Sequence, residues 1–262
     1  MSDALLLERS GKVLALQLNR PALRNAFDAA LIAQLTDALQ QIAVDPLIQI
    51  VVLGGTGSAF SAGADLQWMR AMAAASAQDN HDDAMALARL MRVLDELPKP
   101  TVARVHGAAF GGAVGLIACC DIAVASTDAR FALSESRLGL LPAVISPYVI
   151  AAIGARQARR WFASAEPFDA TTAAQIGLVH EVVAPQALDA AVQQQVALLG
   201  QAGPLAAAAA KTLVRRVAAG GERDALDQAN AALIAQLRVS PEGQEGLGAF
   251  LEKRAPRWIG QS

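Results

Sequence analysis

Two short segments rich in glycine and alanine constrain this chain more than any other feature. Residues 58–65 follow a predicted strand over 49–53, and residues 106–112 follow a predicted strand over 101–105. Both segments lead into helical patterns. Small residues at a strand-to-helix turn let the backbone approach a ligand, and N–H groups at a helix N-terminus are unpaired and partly positive. Two such turns facing one cleft form an oxyanion hole, which indicates chemistry at a carbonyl.

The rest of the chain alternates between strand and helix patterns. A strand over residues 12–18 precedes a helix that Asp28 caps and that ends at Asp45-Pro46. A second amphipathic helix over residues 81–97 and a strand over 122–125 follow. This order predicts βαβ units and a largely parallel sheet. Beyond residue 185 the pattern is helical, with predicted helices over residues 188–199, 204–217, 225–237 and 241–253.

Composition narrows the class of protein. A chain of 262 residues with 54% hydrophobic residues suits one large domain, or one domain with a helical appendage. The net charge of -2 gives no basic footprint for nucleic acid. The apolar run over residues 108–120 is too short to span a bilayer, so it predicts a buried helix and no membrane partner.

Cysteine and histidine positions exclude several kinds of site. Cys119 and Cys120 are adjacent, which suits neither a metal site nor a loop-closing disulfide, so we predict core residues in a reducing compartment. The N-terminus resembles neither a signal nor a transit peptide, and we therefore expect a cytoplasmic protein. The histidines His81, His106 and His180 have no metal-site spacing, so we predict no bound metal.

An ordered set of motifs resembles the crotonase family, the enoyl-CoA hydratases and isomerases. Any one motif is weak, whereas the set covers most of the chain and is specific. In chain order the matching stretches are Asn19-Arg20-Pro21, Asn25-Ala26, residues 60–66, residues 107–112, Cys120-Asp121-Ile122, residues 131–135, Leu138-Gly139, residues 174–179 and Pro241-Glu242-Gly243. Residues 142–147 and 241–254 look most like the bacterial methylglutaconyl-CoA hydratases of leucine and isoprenoid breakdown.

The resemblance implies a fold and partners that periodicity alone does not distinguish from an ordinary α/β sheet. It implies an α/β protein with a crotonase-like spiral of ββα units over residues 1–200. A C-terminal helical trimerisation region over residues 201–262 would then build a homotrimer or a dimer of trimers. The implied partner is an acyl-CoA substrate, with coenzyme A as part of the substrate and no separate cofactor.

The resemblance also assigns the chemistry to particular residues. The oxyanion donors would be the N–H groups of Ala64 and Gly112. Glu135 would carry the proton, since a carboxylate in an apolar stretch is either paired or raised in pKa, and a raised pKa suits proton transfer near neutral pH. A competing interpretation has Arg137 pair with Glu135 or face solvent. We expect His106 to support its loop rather than act as a base.

One position departs from the family pattern. Family hydratases usually carry a second glutamate on the helix after Gly111-Gly112, where this chain has Gly115. A single glutamate is the pattern of Δ3,Δ2-enoyl-CoA isomerases, so isomerase is the alternative to hydratase. A non-catalytic relative that binds acyl-CoA or RNA is a second alternative, which the acidic balance and Glu135 disfavour. The residues considered for holding the water in place of the missing carboxylate are Ser134, Ser136 and Ser146.

Further residues are assigned to coenzyme A and to the acyl group. The resemblance implies that coenzyme A contacts Leu23, Arg24, Ala62, Asp65 and Leu66, and that Phe250 and Lys253 close the site from this subunit or a neighbouring one. Arg24 is suited to pairing with a phosphate. If the acyl group is of the glutaconyl type, its distal carboxylate needs a cation. Arg137 is the candidate, because residues two apart on an extended segment point the same way.

Overall fold

Strands and helices alternate through most of the chain, and the computed structural model describes residues 4–259. The strands in this part are β1 (Leu5–Ser10), β2 (Val13–Leu18), β3 (Ile50–Gly55), β4 (Thr101–Val105), β5 (Ala108–Phe110), β6 (Ile122–Ser126), β7 (Arg130–Ala132), β8 (Phe168–Asp169) and β9 (Glu181–Val183). The α-helices are α1 (Ala29–Val44), α2 (Leu66–Ala74), α3 (Ala77–Asp95), α4 (Gly112–Cys119), α5 (Ser146–Ser164), α6 (Ala170–Gln175), α7 (Leu188–Leu199), α8 (Pro204–Ala218), α9 (Arg223–Val239) and α10 (Pro241–Leu251). The predicted α/β class is confirmed.

The strands form two sheets. The larger has the order β1-β2-β3-β4-β6-β9 and the smaller the order β5-β7-β8. β1 and β2 form an antiparallel hairpin, whereas the later neighbours in the larger sheet pair in parallel, as predicted. Because parallel strands end at the same edge of a sheet, the segments that follow β3 and β4 start beside each other.

Packing covers both faces of the larger sheet, which is typical of parallel strands. On one face, valines of β3, β4 and β6 pack against α7. On the other, a larger apolar cluster joins the sheet to α1, α3, α4 and α5. The predicted buried helix is α4, with its residues Ala113 to Ile117 buried. The two carboxyl-edge segments are therefore held on a rigid support.

The helix caps explain where two helices begin. The Asp28 carboxylate accepts a hydrogen bond from the Leu31 N–H at 2.8 Å, as the sequence predicts for α1. α3 begins four residues before the predicted start at His81, because Ser76 and Asp79 form a capping box there. His81 lies exposed within α3 and does not begin it.

Both cysteines are buried and free, as predicted for core residues. Cys119 packs against Met91, with sulfur atoms 3.9 Å apart. Burial raises the pKa of the Cys120 thiol to about 12. Neither thiol is therefore ionised near neutral pH, and neither is a nucleophile under those conditions.

The C-terminal helices attach to the larger sheet through ionic side chains. Lys211 on α8 lies 2.8 Å from the Asp121 carboxylate and donates to the Lys99 carbonyl at 3.0 Å. α8 and α9 contain no buried residue. The predicted boundary near residue 200 falls between α7 and α8, and its status as a domain boundary stays a prediction. Between residues 4 and 259, no helix has the length and apolar character required to cross a membrane.

Candidate active site

The two glycine- and alanine-rich segments lie side by side. The Ser61 N–H donates to the Ala108 carbonyl at 3.0 Å, and the Phe110 N–H donates to the Ser61 carbonyl at 3.1 Å. The backbones are too close for side chains at the glycines. A Cβ on Gly107, whose φ is +56°, would lie 2.0 Å from the Ser58 carbonyl oxygen, and one on Gly63 would lie 3.0 Å from the Phe110 oxygen. The close approach expected from the small residues is present.

A parallel bridge to Phe27 orients the Ala64 amide. The Phe27 N–H donates to the Gly63 carbonyl at 2.7 Å, and the Asp65 N–H donates to the Phe27 carbonyl at 2.7 Å. Since residues on either side of Ala64 make these bonds, the Ala64 N–H points away from Phe27. Ala64 itself is exposed. Its amide is therefore available to a ligand.

The Gly112 amide is the first N–H of α4. The first N–H groups of a helix have no partner within the helix. Across residues 4–259, neither this N–H nor that of Ala64 has a hydrogen-bond acceptor. Gly112 is only half-buried, so both predicted oxyanion donors are unpaired and accessible.

Phe27 links the two predicted donors, and no sequence motif identified above includes it. Its backbone holds the residues on both sides of Ala64. Its ring lies 3.6 Å from the position that a Cβ on Gly112 would take. Phe27 is only 2% exposed, so it has little freedom to move. The adjacent Asn25-Ala26 motif was the available signal.

Glu135 lies against the N-terminus of α4. It belongs to a short 3₁₀ helix over Ser134–Leu138, directly after β7. A Cβ on Gly111 would lie 3.2 Å from Glu135 Oε1, which places the carboxyl group beside the residue that precedes Gly112. Within residues 4–259, the buried Oε2 has no hydrogen-bond partner. The predicted acid–base residue and one predicted oxyanion donor therefore lie together.

Burial raises the pKa of the Glu135 carboxyl group, and its own backbone N–H opposes this to a smaller extent. A carboxylate that has lost water without gaining a partner favours its protonated form. In the part of the chain that the structure describes, no charged side chain contributes to this shift. Such a group is suited to take up and return a proton near neutral pH.

For Arg137, the predicted pairing with Glu135 and the extended-segment geometry are wrong, whereas the alternative that Arg137 faces solvent agrees with the structure. Both residues lie in the 3₁₀ helix, where three residues complete a turn, so residues two apart do not point the same way. Arg137 is exposed, and no ion pair joins it to Glu135 among the described residues. The structure therefore contains no Glu135–Arg137 ion pair among the described residues. The extended geometry that would have pointed Arg137 towards a distal carboxylate of the substrate is also absent.

Two of the three serines considered for holding water, Ser136 and Ser146, already donate to backbone carbonyls. The Ser136 hydroxyl donates to the Phe162 carbonyl. The Ser146 hydroxyl donates to the Ala143 carbonyl at 2.7 Å, and Ser146 is half-buried. Ser134 is half-buried on the same 3₁₀ helix as Glu135, and its role stays a prediction.

Backbone contacts bring together the first residues assigned to coenzyme A. The Ala62 N–H donates to the Arg24 carbonyl at 2.9 Å, so the turn at Leu23 and Arg24 adjoins Ala62. Leu23, Arg24 and Leu66 are exposed. The Asp65 carboxylate accepts hydrogen bonds from the N–H groups at the start of α2. Asp65 is thus a helix cap, and its side chain is already engaged.

Arg20 and Asn25 hold this surface in place. The sequence motifs that contain them indicated the family resemblance but not this structural role. Asn25 is fully buried and accepts a hydrogen bond from the Arg20 N–H at 2.8 Å. Its amide donates to the Thr56 and Ala59 carbonyls at 2.9 and 2.8 Å. The Arg20 guanidinium lies 2.8 Å from Asp28 and donates to the Ala26 carbonyl at 2.8 Å.

Phe250 and Lys253 lie on the surface of the C-terminal region. The Phe250 ring is 80% exposed and Lys253 is also exposed. The segment after α10 contacts the α7–α8 connection, where Trp258 Nε1 donates to the Gln201 carbonyl at 3.1 Å. An exposed ring covers nothing in its own chain, so closure by these residues stays a prediction for a neighbouring subunit.

His106 supports the loop after β4. Its Nε2 lies 3.0 Å from the Gly57 carbonyl, so it carries the proton, and Nδ1 accepts from Arg104 at 3.2 Å. Burial lowers the pKa of His106. A polar cavity of about 440 Å³ adjoins it without including Ala64, Gly112 or Glu135. No group of three or more His, Cys, Asp or Glu side chains within 4–259 is arranged to hold a metal ion.

Known proteins are similar to this chain over almost all of its length. The family model described as enoyl-CoA hydratase/isomerase matches residues 8–261. The chain is 34% identical to a 2,3-dehydroadipyl-CoA hydratase of Escherichia coli, with 98% of this chain and 99% of that protein covered. An enoyl-CoA hydratase structure from Shewanella pealeana is 44% identical with a TM-score of 0.94, over 98% of this chain and 96% of that one. Pseudomonas aeruginosa AtuE is 37% identical with a TM-score of 0.94, over 98% and 99%.

Proposed function

The chain belongs to the enoyl-CoA hydratase/isomerase family, with the predicted crotonase fold, and from this premise we propose that it adds water to a 2-enoyl-CoA thioester. One observation carries the proposal. The Glu135 carboxyl group, with an unpartnered buried oxygen, lies beside the N-terminus of the helix whose first free amide belongs to Gly112. A proton carrier and an oxyanion donor are the parts that such a reaction requires.

The reaction follows from these two parts. The thioester oxygen would lie between the Ala64 and Gly112 N–H groups, which stabilise it most as negative charge develops in the enolate. Ionised Glu135 would take a proton from water while the water oxygen bonds to C3. The electron pair of the double bond would move to the thioester oxygen. Glu135 would then return the proton to C2, so that one water is added in total.

Coenzyme A would bind along the surface beside Ala64. The exposed turn at Leu23 and Arg24, held by Asn25 and by the hydrogen bond to Ala62, supports this placement. Asp65 and Leu66 continue the same surface at the start of α2. We place Phe250 and Lys253 of a neighbouring subunit over this surface, in a homotrimer or a dimer of trimers. Their exposure in the single chain supports that placement.

The acyl group would carry a distal carboxylate. The methylglutaconyl-like motifs of the sequence support this, and so does the relative named 2,3-dehydroadipyl-CoA hydratase, since both acyl groups are dicarboxylic. Arg137 is not the cation that the extended segment predicted, because it lies on a 3₁₀ helix and is exposed. The specific acyl group proposed is methylglutaconyl or a related branched dicarboxylic chain.

Isomerisation is the second candidate function, and one observation favours it. The helix position where family hydratases usually carry a second glutamate is Gly115, which leaves Glu135 as a single proton carrier. One base that moves a proton between carbons of a 3-enoyl-CoA needs no second carboxylate. The products of the two reactions differ in mass, so they are readily distinguished.

Product mass tests the proposed function. The purified protein is incubated separately with crotonyl-CoA, 3-methylglutaconyl-CoA and a 3-enoyl-CoA, with Glu135→Gln as the control variant. Hydration adds the mass of one water to the first or second substrate. An unchanged mass with a moved double bond in the third, and no water added to the others, would replace hydratase by isomerase. No turnover of any of the three would support the non-catalytic alternative.

A further inference from the structure

A buried isoleucine fills the space next to Gly115. A Cβ built on Gly115 would lie 2.3 Å from Ile145 Cγ2, 2.8 Å from Ile145 Cβ and 3.2 Å from Met91 Cε. Contacts under 3.0 Å do not occur between real carbon atoms, and here the first obstacle is a branched side chain that is only 2% exposed. Position 115 therefore differs from the family pattern in more than the lack of a carboxylate. It is closed to any side chain.

The turn that holds Ile145 is itself fixed. The Ser146 hydroxyl donates to the Ala143 carbonyl at 2.7 Å, and the Ser146 N–H donates to the same carbonyl at 3.2 Å. The Ile145 carbonyl accepts from the Val149 N–H at 3.1 Å, which begins α5. The Ile145 backbone, and with it the Cβ atom 2.8 Å from the built position, therefore cannot move away without disrupting the start of α5.

We propose that Ile145 is a positioning residue of the active site: by packing onto Gly115 it excludes a second side chain from α4 and leaves Glu135 the only carboxylate that titrates there. The proposal rests on the proposed function of Glu135. Two carboxylates in one site would repel and titrate as a coupled pair. With Ile145 in place, a single ionisation governs the reaction.

The groups around Glu135 agree with a single ionisation. The 3₁₀ helix that carries Glu135 follows β7, packs against α5 and places Glu135 beside Gly111, the residue before α4. None of the titratable groups on these elements contributes to the pKa shift of Glu135. They are Tyr148, Arg156, Arg159 and Arg160 on α5, Arg130 on β7 and Cys119 on α4.

A stability cycle tests the packing without any assay of activity. Gly115→Ala should lower the Tm by roughly 5 °C, because the added methyl overlaps Ile145. In an Ile145→Gly background, Gly115→Ala should instead raise the Tm, since it fills space that Ile145 has left. Ile153→Ala is the matched control: it removes buried atoms from the same helix, and in its background Gly115→Ala should still lower the Tm. The same loss in all three backgrounds would overturn the proposal.

The pH profile tests the consequence for the reaction. In the wild-type protein, kcat/KM should fall tenfold per pH unit below the midpoint of the acid limb, as one carboxyl group protonates. Gly115→Glu in the Ile145→Gly background should make this limb steeper or move its midpoint upwards, because a second carboxylate then couples to Glu135. A hundredfold loss per unit in the wild type would overturn the single ionisation.

The two tests separate the proposals. Suppose that Gly115→Ala lowers the Tm in the wild-type background and raises it in the Ile145→Gly background, but the wild-type protein hydrates no enoyl-CoA. The proposed function then fails and the packing role of Ile145 stands. If Gly115→Ala changes the Tm equally in both backgrounds while the wild-type protein hydrates an enoyl-CoA, the Ile145 proposal fails and the proposed function stands. Should Gly115→Glu with Ile145→Gly not fold, the alanine cycle and the wild-type pH slope still decide.

Discussion

At the scale of single residues, Glu135 combines a buried, unpartnered carboxylate oxygen with a raised pKa. Glu135→Gln keeps the shape of the side chain and removes its ability to carry a proton. We expect kcat to fall by about 10²- to 10⁴-fold while affinity for coenzyme A is nearly unchanged. Steady-state kinetics and calorimetric titration with coenzyme A measure the two effects. Glu181→Gln, on β9 and bonded to Gln195, is the control and should retain activity.

The same variant has a consequence for stability. Because the folded protein raises the pKa of Glu135, ionised Glu135 destabilises the fold at neutral pH, and that cost disappears as pH falls below the raised pKa. Glu135→Gln should therefore raise the Tm at pH 7 by more than it does at pH 4. A uniform gain or a loss at both pH values, or near wild-type turnover, would contradict the role given to this carboxyl group.

Gly112 offers a test of the amide rather than of the side chain. It is the first residue of α4, where the fixed φ of proline is tolerated, so Gly112→Pro removes the N–H without breaking the helix. Gly112→Ala retains the N–H and places a methyl 3.6 Å from the Phe27 ring, an ordinary contact. Proline should lower kcat by about 10²- to 10³-fold, the loss typical of one oxyanion donor, and alanine by far less. Equal losses in two folded variants would remove Gly112 from the oxyanion hole.

At the scale of elements, the loop over residues 19–28 depends on one buried amide. Asn25→Ala leaves the Arg20 N–H and the Thr56 and Ala59 carbonyls without their partner. A fully buried group left unpaired costs about 1–3 kcal/mol. Because only the bond to the Ala59 carbonyl is fully buried and the other two are partly buried, we expect a loss of roughly 2–4 kcal/mol in the free energy of unfolding. Urea denaturation measures it. Asn80→Ala, an exposed amide that bonds the carbonyls at the end of α2, should cost far less.

Elements with a strong local signal were predictable. The strand Thr101–Val105 and the helix Leu188–Leu199 have the predicted bounds, because alternation and helical spacing determine them locally. Strands such as β5, β7 and β8 are two or three residues long, which is too short for any period. They form through pairing with each other and, for β5, through the backbone bridge to Ser61. α5 was missed, since Gly154, whose φ is +76°, interrupts its helical backbone. The prediction for Arg137 failed for a similar reason. Its segment was expected to be extended, but it forms a 3₁₀ helix that ends at Gly139, a residue with positive φ.

The candidate site, like the fold, was predictable from the sequence only in part. Ala64, Gly112 and Glu135 were found from motifs, and the structure brings the segments that carry them together. Phe27 and Ile145 were not found. Their importance lies in what they touch, and a Cβ overlap between Gly115 and a residue thirty positions later leaves no periodic trace in the sequence. Residues that act by excluding others are visible only once the backbone is placed.

At the scale of the whole molecule, the C-terminal helices carry apolar surface that their own chain does not bury. Phe250 and Leu251 are 80% and 77% exposed, and Val214 on α8 is 67% exposed. Apolar surface of this kind, concentrated on three successive helices, is typical of an interface. We therefore expect sedimentation of the purified protein at micromolar concentration to give a trimer or a hexamer. A monomer would contradict the assembly.

A substitution within this surface ties assembly to the site. Leu251→Asp places a charge where apolar contact is expected, so it should shift the protein towards monomer. If the neighbouring subunit supplies Phe250 and Lys253 to the coenzyme A site, the same variant should raise KM for the acyl-CoA, and the increase should diminish at higher protein concentration as trimers re-form. Val44→Asp, at an 81% exposed position at the end of α1, is the matched control and should change neither property. Dissociation without any change in KM would show that each subunit completes its own coenzyme A site.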